Sequence, residues 1–203
     1  MKEKFLECTL SLILSTHPDC DEQELSELRF GLEGLYLSVT KLIIIFALAI
    51  LLGILKEMLI LLIIFNILRT TGFGLHATKS WACLLSSSSI FLILPFLAKV
   101  IILPFYIKLV FGILGIGLIY KYAPADTHKR PLIRKSRREK YKFITTISCI
   151  VLVTIMLYGC SNEMFSNLIL FGIYTEIFMI HPFIYKIFHL PYDNYKTYHL
   201  KLD

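Results

Sequence analysis

The sequence predicts an all-α, polytopic membrane protein with about six transmembrane helices and amphipathic N-terminal helices, in a single membrane domain over residues 1-203. Three observations lead there. Hydrophobic residues make up 56% of the chain and its mean hydropathy is +0.69, above the roughly 45–50% apolar content of soluble domains. Much of the apolar content falls in runs near the roughly 20 residues that cross a bilayer as helix. The excess positive charge behind the net +6 is concentrated in one short loop between such runs, which fits orientation in a bilayer better than nucleic-acid binding.

Residues 1-34 read as amphipathic surface helices. Asp21 and Glu24 form a capping-box-like start after Pro18, and Leu25, Leu28, Leu32 and Leu35 make one stripe. This section holds eight acidic residues and has no basic leader ahead of an apolar core, so a cleavable signal peptide is not expected. Residues 35-68 hold the first two spans. The first runs from about Leu35 to Leu55, and Lys56 and Glu57 interrupt the apolar pattern. The second, Met58 to Leu68, would give only about 16 Å of helix against a hydrocarbon core of roughly 30 Å, so a distinct but short span is expected.

Residues 69-83 (RTTGFGLHATKSWAC) break the oily pattern and should reach water. Residues 84-120 would extend about 55 Å as helix, enough for two crossings. Residues 121-142 hold nine Lys or Arg against two acids, the mark of a cytoplasmic loop. Two crossings separate that loop from the 69-83 segment, so both are expected on one side. The last two spans lie within 143-188, at about Phe143 to Tyr158 and Met164 to Phe188, and the tail 189-203 returns to the cytoplasm.

Five scattered cysteines without a CxxC pair suggest neither a disulfide framework nor a zinc site, and no metal or cofactor is expected. Cys83 is the cysteine that shares a stretch with a histidine, a cation and glycines. A thiolate in such company is a competent nucleophile, with His76 as its base. A helix beginning near Ser80 to Cys83 would offer free backbone N–H groups to the thiolate and to an oxyanion. Unbroken helix would hold the two residues about 10.5 Å apart along the axis, so contact needs a bend, which Gly72 and Gly74 permit. Spacing alone does not separate this pair from a packed cysteine and a solvated histidine. Glu176 and His181 are costly in a bilayer and are expected to be paired structurally, with Lys108 or Arg69 as partner.

Arg69, Gly74, His76-Ala77 and Cys83, followed by Tyr122-Ala123-Pro124-Ala125 and Arg130-Pro131, resemble the accessory gene regulator protein B (AgrB) family. The resemblance covers nearly the whole chain, including Glu176 in the last span. It implies a bacterial cell-membrane cysteine endopeptidase of quorum sensing. His76 and Cys83 would be the catalytic pair that trims the carboxyl end of an AgrD-like propeptide, through a Cys83 thioester that an internal cysteine or serine resolves into a thiolactone or lactone. It further implies supporting or substrate-binding roles for Arg69, Gly74, Lys129, Arg130 and Glu33, with the site and basic loop on the cytoplasmic side. Gly74 is followed by Leu75, whereas the commoner family pattern has a second small residue nearer the histidine.

The implied partners are the propeptide, membrane lipids and a second copy in a homodimer, for which the run Ser86 to Ser89 offers a small-residue helix face. No nucleic acid is expected. The rival reading is a non-enzymatic peptide carrier or scaffold whose path is lined by Arg69, Glu176 and His181.

Overall fold

A computed structural model describes residues 2–16, 21–75, 80–127, 131–159 and 161–199. Its named elements are all helices, with an isolated bridge between Phe73 and Ala125 and no strand among the described residues. The chain divides into two compact units, Met1–Leu48 and Ala49–Asp203.

The first unit contains α1 (Lys2–Thr16) and most of α2, a 30-residue helix over Glu22–Leu51. The capping box is formed: the Glu24 N–H donates to Asp21 Oδ1 at 2.7 Å, and Glu24 Oε2 accepts from the Asp21 N–H at 3.3 Å. These bonds satisfy donors that a helix start leaves open. Helix α1 meets α2 through Lys2 Nζ and Glu33 Oε1 (2.6 Å), Arg29 and Glu3 (3.1 Å), and the Phe5 and Tyr36 rings (5.3 Å). Because α2 continues unbroken, the expected surface helix and first span share one helix.

The second unit contains α3 (Leu55–Gly72), α4 (Ser80–Val100), α5 (Phe105–Tyr122), α6 (Lys135–Thr154, extended by a π turn at Ile155–Gly159), α7 (Glu163–Ile180), α8 (Pro182–Ile187) and α9 (Asn194–His199). Helix α7 is the centre. Of its apolar stretch 61% is buried, against 22% and 28% for α5 and α6. Small residues permit that packing: a Cβ on Gly172 would stand 2.5 Å from Ile64 of α3, and one on Gly115 of α5 would stand 3.2 Å from Ile173. The outer faces of α5 and α6 expose Val110, Phe111, Ile113, Phe143, Ile147 and Val151, surface that lipid rather than water would cover.

Four helices among the described residues are long and apolar enough to cross a membrane, at Glu24–Leu51, Phe105–Tyr122, Lys135–Gly159 and Glu163–Ile180. The expectation of about six was higher. The difference lies in α3, which carries Lys56, Glu57 and Arg69 within 18 residues, and α4, whose described apolar part, Leu84–Val100, is shorter.

Several boundaries also differ from expectation. The interruption after the first span is at Leu52-Gly53, where Gly53 takes φ +64°, and not at Lys56-Glu57. Glu57 lies in the first turn of α3, where a helix start favours an acid, and Lys99 of α4 pairs with it at 3.0 Å. Helix α3 is thus longer than the eleven apolar residues suggested. The last span stops at Ile180, not Phe188, because Pro182 starts α8 and His181 Nδ1 caps it by accepting from the Phe183 N–H at 3.2 Å. Much of the expected basic loop is helical, with Lys135 to Lys142 forming the start of α6.

The end of α7 that begins at Glu163 is fixed by polar contacts. Lys108, buried on α5, pairs with Glu163. Asn167 donates from Nδ2 to the carbonyls of Ala98 (3.3 Å) and Ile101 (2.6 Å), which α4 leaves open at its C-terminus. The opposite end of the unit carries the candidate site.

A candidate active-site scaffold

Three helix ends converge on the four residues after Arg69-Thr70-Thr71. Helix α3 finishes at Gly72, and Phe73 and Gly74 both take positive φ, +60° and +96°. This reversal is held by backbone bonds to two distant parts of the chain. Ala125 donates its N–H to the Gly72 carbonyl (2.9 Å) and accepts the Gly74 N–H (2.8 Å), while the Leu75 N–H donates to the Met179 carbonyl in the last turn of α7 (2.9 Å). Phe73 is a bulky residue in the left-handed region, a conformation that survives where its surroundings over-determine it. The bonds on either side, and the Tyr141 ring 5.2 Å from its own, supply that determination.

Arg69 closes the arrangement from inside. Its Nη2 donates to the carbonyls of Gly74 (3.1 Å) and Leu75 (2.6 Å). Its Nη1 lies 3.7 Å from Glu176 Oε2 on α7, a carboxylate with 0% side-chain exposure. Phe65 lies under the guanidinium at 5.8 Å. The planar fork of arginine suits this task, because two donors can grip adjacent carbonyls while another edge faces a carboxylate. Gly74 is required sterically as well as conformationally: a Cβ would collide with Arg69 Nη1 and stand 2.7 Å from the Met179 carbonyl. Of the partners weighed for Glu176, Arg69 is the one observed, and Lys108 turns to Glu163 instead.

The head of the basic loop joins the same end. Asp126, 3% exposed, accepts N–H bonds from Asn194 (2.9 Å) and Tyr195 (2.9 Å) at the start of α9 and from Leu132 (3.4 Å). Its carbonyl accepts from the Tyr185 hydroxyl at 3.3 Å, and burial pushes that phenol up from its ordinary pKa. Arg138 grips the carbonyls of Leu132 and Ile133, both at 2.7 Å, and its guanidinium lies 3.9 Å from the Tyr195 ring centroid. Loop, tail and the Gly72 to Leu75 segment therefore form one connected layer. Sequence reasoning missed Asp126, although an acid among nine loop cations was a visible anomaly.

The residues singled out from sequence divide as follows. Arg69 and Gly74 are brought together. Cys83 stands in the first turn of α4, which begins at Ser80, and its side chain lies outside the described residues. His76, Lys129 and Arg130 also lie outside them. Glu33 belongs to the first unit, where it pairs with Lys2. Among the described residues no cluster of three or more His, Cys, Asp or Glu is placed to hold a metal ion.

Comparisons with known proteins agree on one family. The family model described as accessory gene regulator B matches residues 7–180. An AgrB-like protein of Clostridium acetobutylicum is 33% identical over 95% of this chain and 91% of its own length. One of Listeria innocua is 33% identical over 88% of this chain and 87% of its own. The accessory gene regulator protein B of Staphylococcus aureus is 28% identical over 85% of this chain and 89% of its own. No solved structure matches.

Proposed function

The chain belongs to the accessory gene regulator B family, and from that premise we propose that it is a membrane cysteine endopeptidase that removes the carboxyl end of an AgrD-like propeptide. Membership supports a role in quorum-sensing peptide processing, and the apolar helices are compatible with a membrane protein. In the finer reading, His76 takes the proton of the Cys83 thiol and the thiolate attacks a propeptide carbonyl. The tetrahedral intermediate collapses with His76 returning the proton to the leaving amine, so the carboxyl fragment departs and the amino-terminal part remains as a thioester on Cys83. An internal thiol or hydroxyl of the peptide loses its proton to the same base and attacks the thioester. The ring closes, and Cys83 leaves as thiolate.

The observation that carries this reading is the tethered reversal at Gly72 to Leu75. The Leu75 carbonyl gripped by Arg69 belongs to the peptide unit whose nitrogen is that of His76, and a peptide unit is planar. The Leu75 N–H is bonded to Met179 as well. The chain is therefore anchored up to Leu75, the residue before His76, and five residues after that anchor α4 begins, whose first turn carries Cys83. Free N–H groups at a helix start favour a thiolate and a developing oxyanion. Lipid-lined surroundings would protect the thioester from water until the ring closes. On this reading Arg69 and Gly74 shape the site, and Lys129 and Arg130 attract the propeptide's acidic tail on the cytoplasmic side, an attraction that added salt should weaken.

The test is co-expression of the chain with its cognate precursor, following products by mass. Wild type should release the carboxyl fragment, and Cys83→Ala and His76→Ala should release none. Cleavage by either variant sinks the peptidase reading, and transport of uncut peptide in its place would establish the carrier.

A further inference from the structure

We infer that Glu176 is a positioning residue for the His76 side of the site, acting through Arg69; the inference rests on the peptidase reading above. Nothing about a central, lipid-embedded helix calls for a carboxylate, and its burial is unfavourable unless a cation compensates it. The cation facing it is Arg69, at 3.7 Å. Arg69 in turn is held at the end of α3 by what its other nitrogen does, which is to bond the two carbonyls that precede His76. A guanidinium with one edge on Gly74 and Leu75 can rotate about its side-chain bonds unless its second edge is also held. Glu176 supplies that hold from a helix that already fixes Leu75 through the Met179 carbonyl. One rigid element, α7, thus secures the peptide leading into His76 twice, once directly and once through an ion pair.

Gly72 gives independent support. A Cβ at that position would collide with Glu176 Oε1 and approach Thr145 Cγ2 at 3.4 Å. Helix α3 therefore lacks a side chain where the carboxylate must pass to reach Arg69. Glycine is unfavourable inside a helix relative to alanine, and the space it leaves here is occupied by the carboxylate.

The experiment uses the full chain in lipid nanodiscs with its cognate propeptide, and compares wild type with E176Q, E176D and G72A. Two rates are measured, steady-state cleavage and iodoacetamide alkylation of Cys83, the latter read by peptide mass. Displacement of a reacting group by about 1 Å is worth roughly a hundredfold, so E176Q should lower kcat on that order. KM should stay within about twofold, since substrate binding is not what is lost. Alkylation should slow alongside kcat, because both depend on His76 drawing the proton from Cys83, and E176D should recover part of both rates. G72A keeps the charge but pushes the carboxylate aside, and should reproduce the E176Q pattern; it carries the test if E176Q does not accumulate.

Wild-type kcat in E176Q overturns the inference. So does a loss confined to KM, or a loss of cleavage with unchanged Cys83 alkylation. If neither E176Q nor G72A accumulates, Glu176 holds the fold and the positioning role is overturned. A C83A protein that still cleaves overturns the peptidase reading itself, whatever E176Q does.

Discussion

Gly74→Ala is the substitution whose consequence the geometry sets most directly. At φ +96° an L side chain is strained by about 1–3 kcal/mol. The new Cβ would also stand 2.7 Å from the Met179 carbonyl and strike Arg69 Nη1, and overpacking of that kind adds about 1–3 kcal/mol. The segment escapes part of this by moving, at the expense of the Gly74 to Ala125 bond and the Arg69 grip. A net bias near 3 kcal/mol against the anchored form shifts the ratio of anchored to released segment by about a hundredfold, at 1.4 kcal/mol per factor of ten. Propeptide cleavage by G74A should therefore fall in kcat, by up to about two orders of magnitude. Gly53→Ala is the matched control: its φ is also positive, +64°, but nothing lies within 4 Å of the added Cβ, and it sits at the other end of α3. It should lower the melting temperature slightly and leave turnover unchanged. Equal turnover in G74A and wild type, or equal losses in G74A and G53A, would refute the claim that the reversal after α3 sets up the chemistry.

Other outcomes follow from the polar contacts. Asn167→Ala removes the donor to the Ala98 and Ile101 carbonyls and should cost about 1–3 kcal/mol of stability, read as a lower melting temperature in detergent. Gly172→Val places a branched side chain against Ile64, 2.5 Å from the Cβ position, and should destabilise the α3 to α7 contact by about 1–3 kcal/mol by the same measurement. Asp126→Ala leaves the Asn194, Tyr195 and Leu132 N–H groups without their acceptor, so hydrogen exchange at these amides should accelerate by at least about tenfold. Unchanged exchange there would mean that the tail is held without the Asp126 carboxylate, by contacts such as the Tyr192 hydroxyl on the Tyr122 carbonyl.

The sequence-based expectations succeeded where the signal is local. Asp21 and Glu24 are three residues apart and cap the start of α2 between them. The start of the last long span was read one residue from where α7 begins, at Met164 against Glu163. Expectations failed where a distant partner changes what a residue means. Lys56 and Glu57 looked like the break between two spans, yet the chain breaks at Leu52-Gly53 and both residues fall in the first turn of α3, where Lys99, over forty residues away, pairs with Glu57. The end of α7 was legible but unread: His181-Pro182 is a cap followed by proline at the first position of the next helix. The bonds of Gly74 to Ala125 and Leu75 to Met179 leave no trace in composition or periodicity, because they join backbone groups that every residue type possesses.

That last point explains why the site's motif is a set of small and polar residues rather than a periodic pattern. Each element contributes what its backbone permits. Gly74 admits the Arg69 fork and the α7 carbonyl; Gly72 admits a carboxylate between two helices; Ala125 offers N–H and C=O to both sides of the reversal. Larger residues at the two glycines would close these approaches, and moving Arg69 by one position would turn its side chain about 100° around α3, away from the carbonyls it bonds. The spacing of Arg69, Gly74 and Ala125 is therefore a record of three helix ends meeting. A chain able to keep the spacing while losing Glu176 without consequence would show that the meeting of α3 with the Tyr122 to Ala125 turn is sufficient, and that α7 is only a wall.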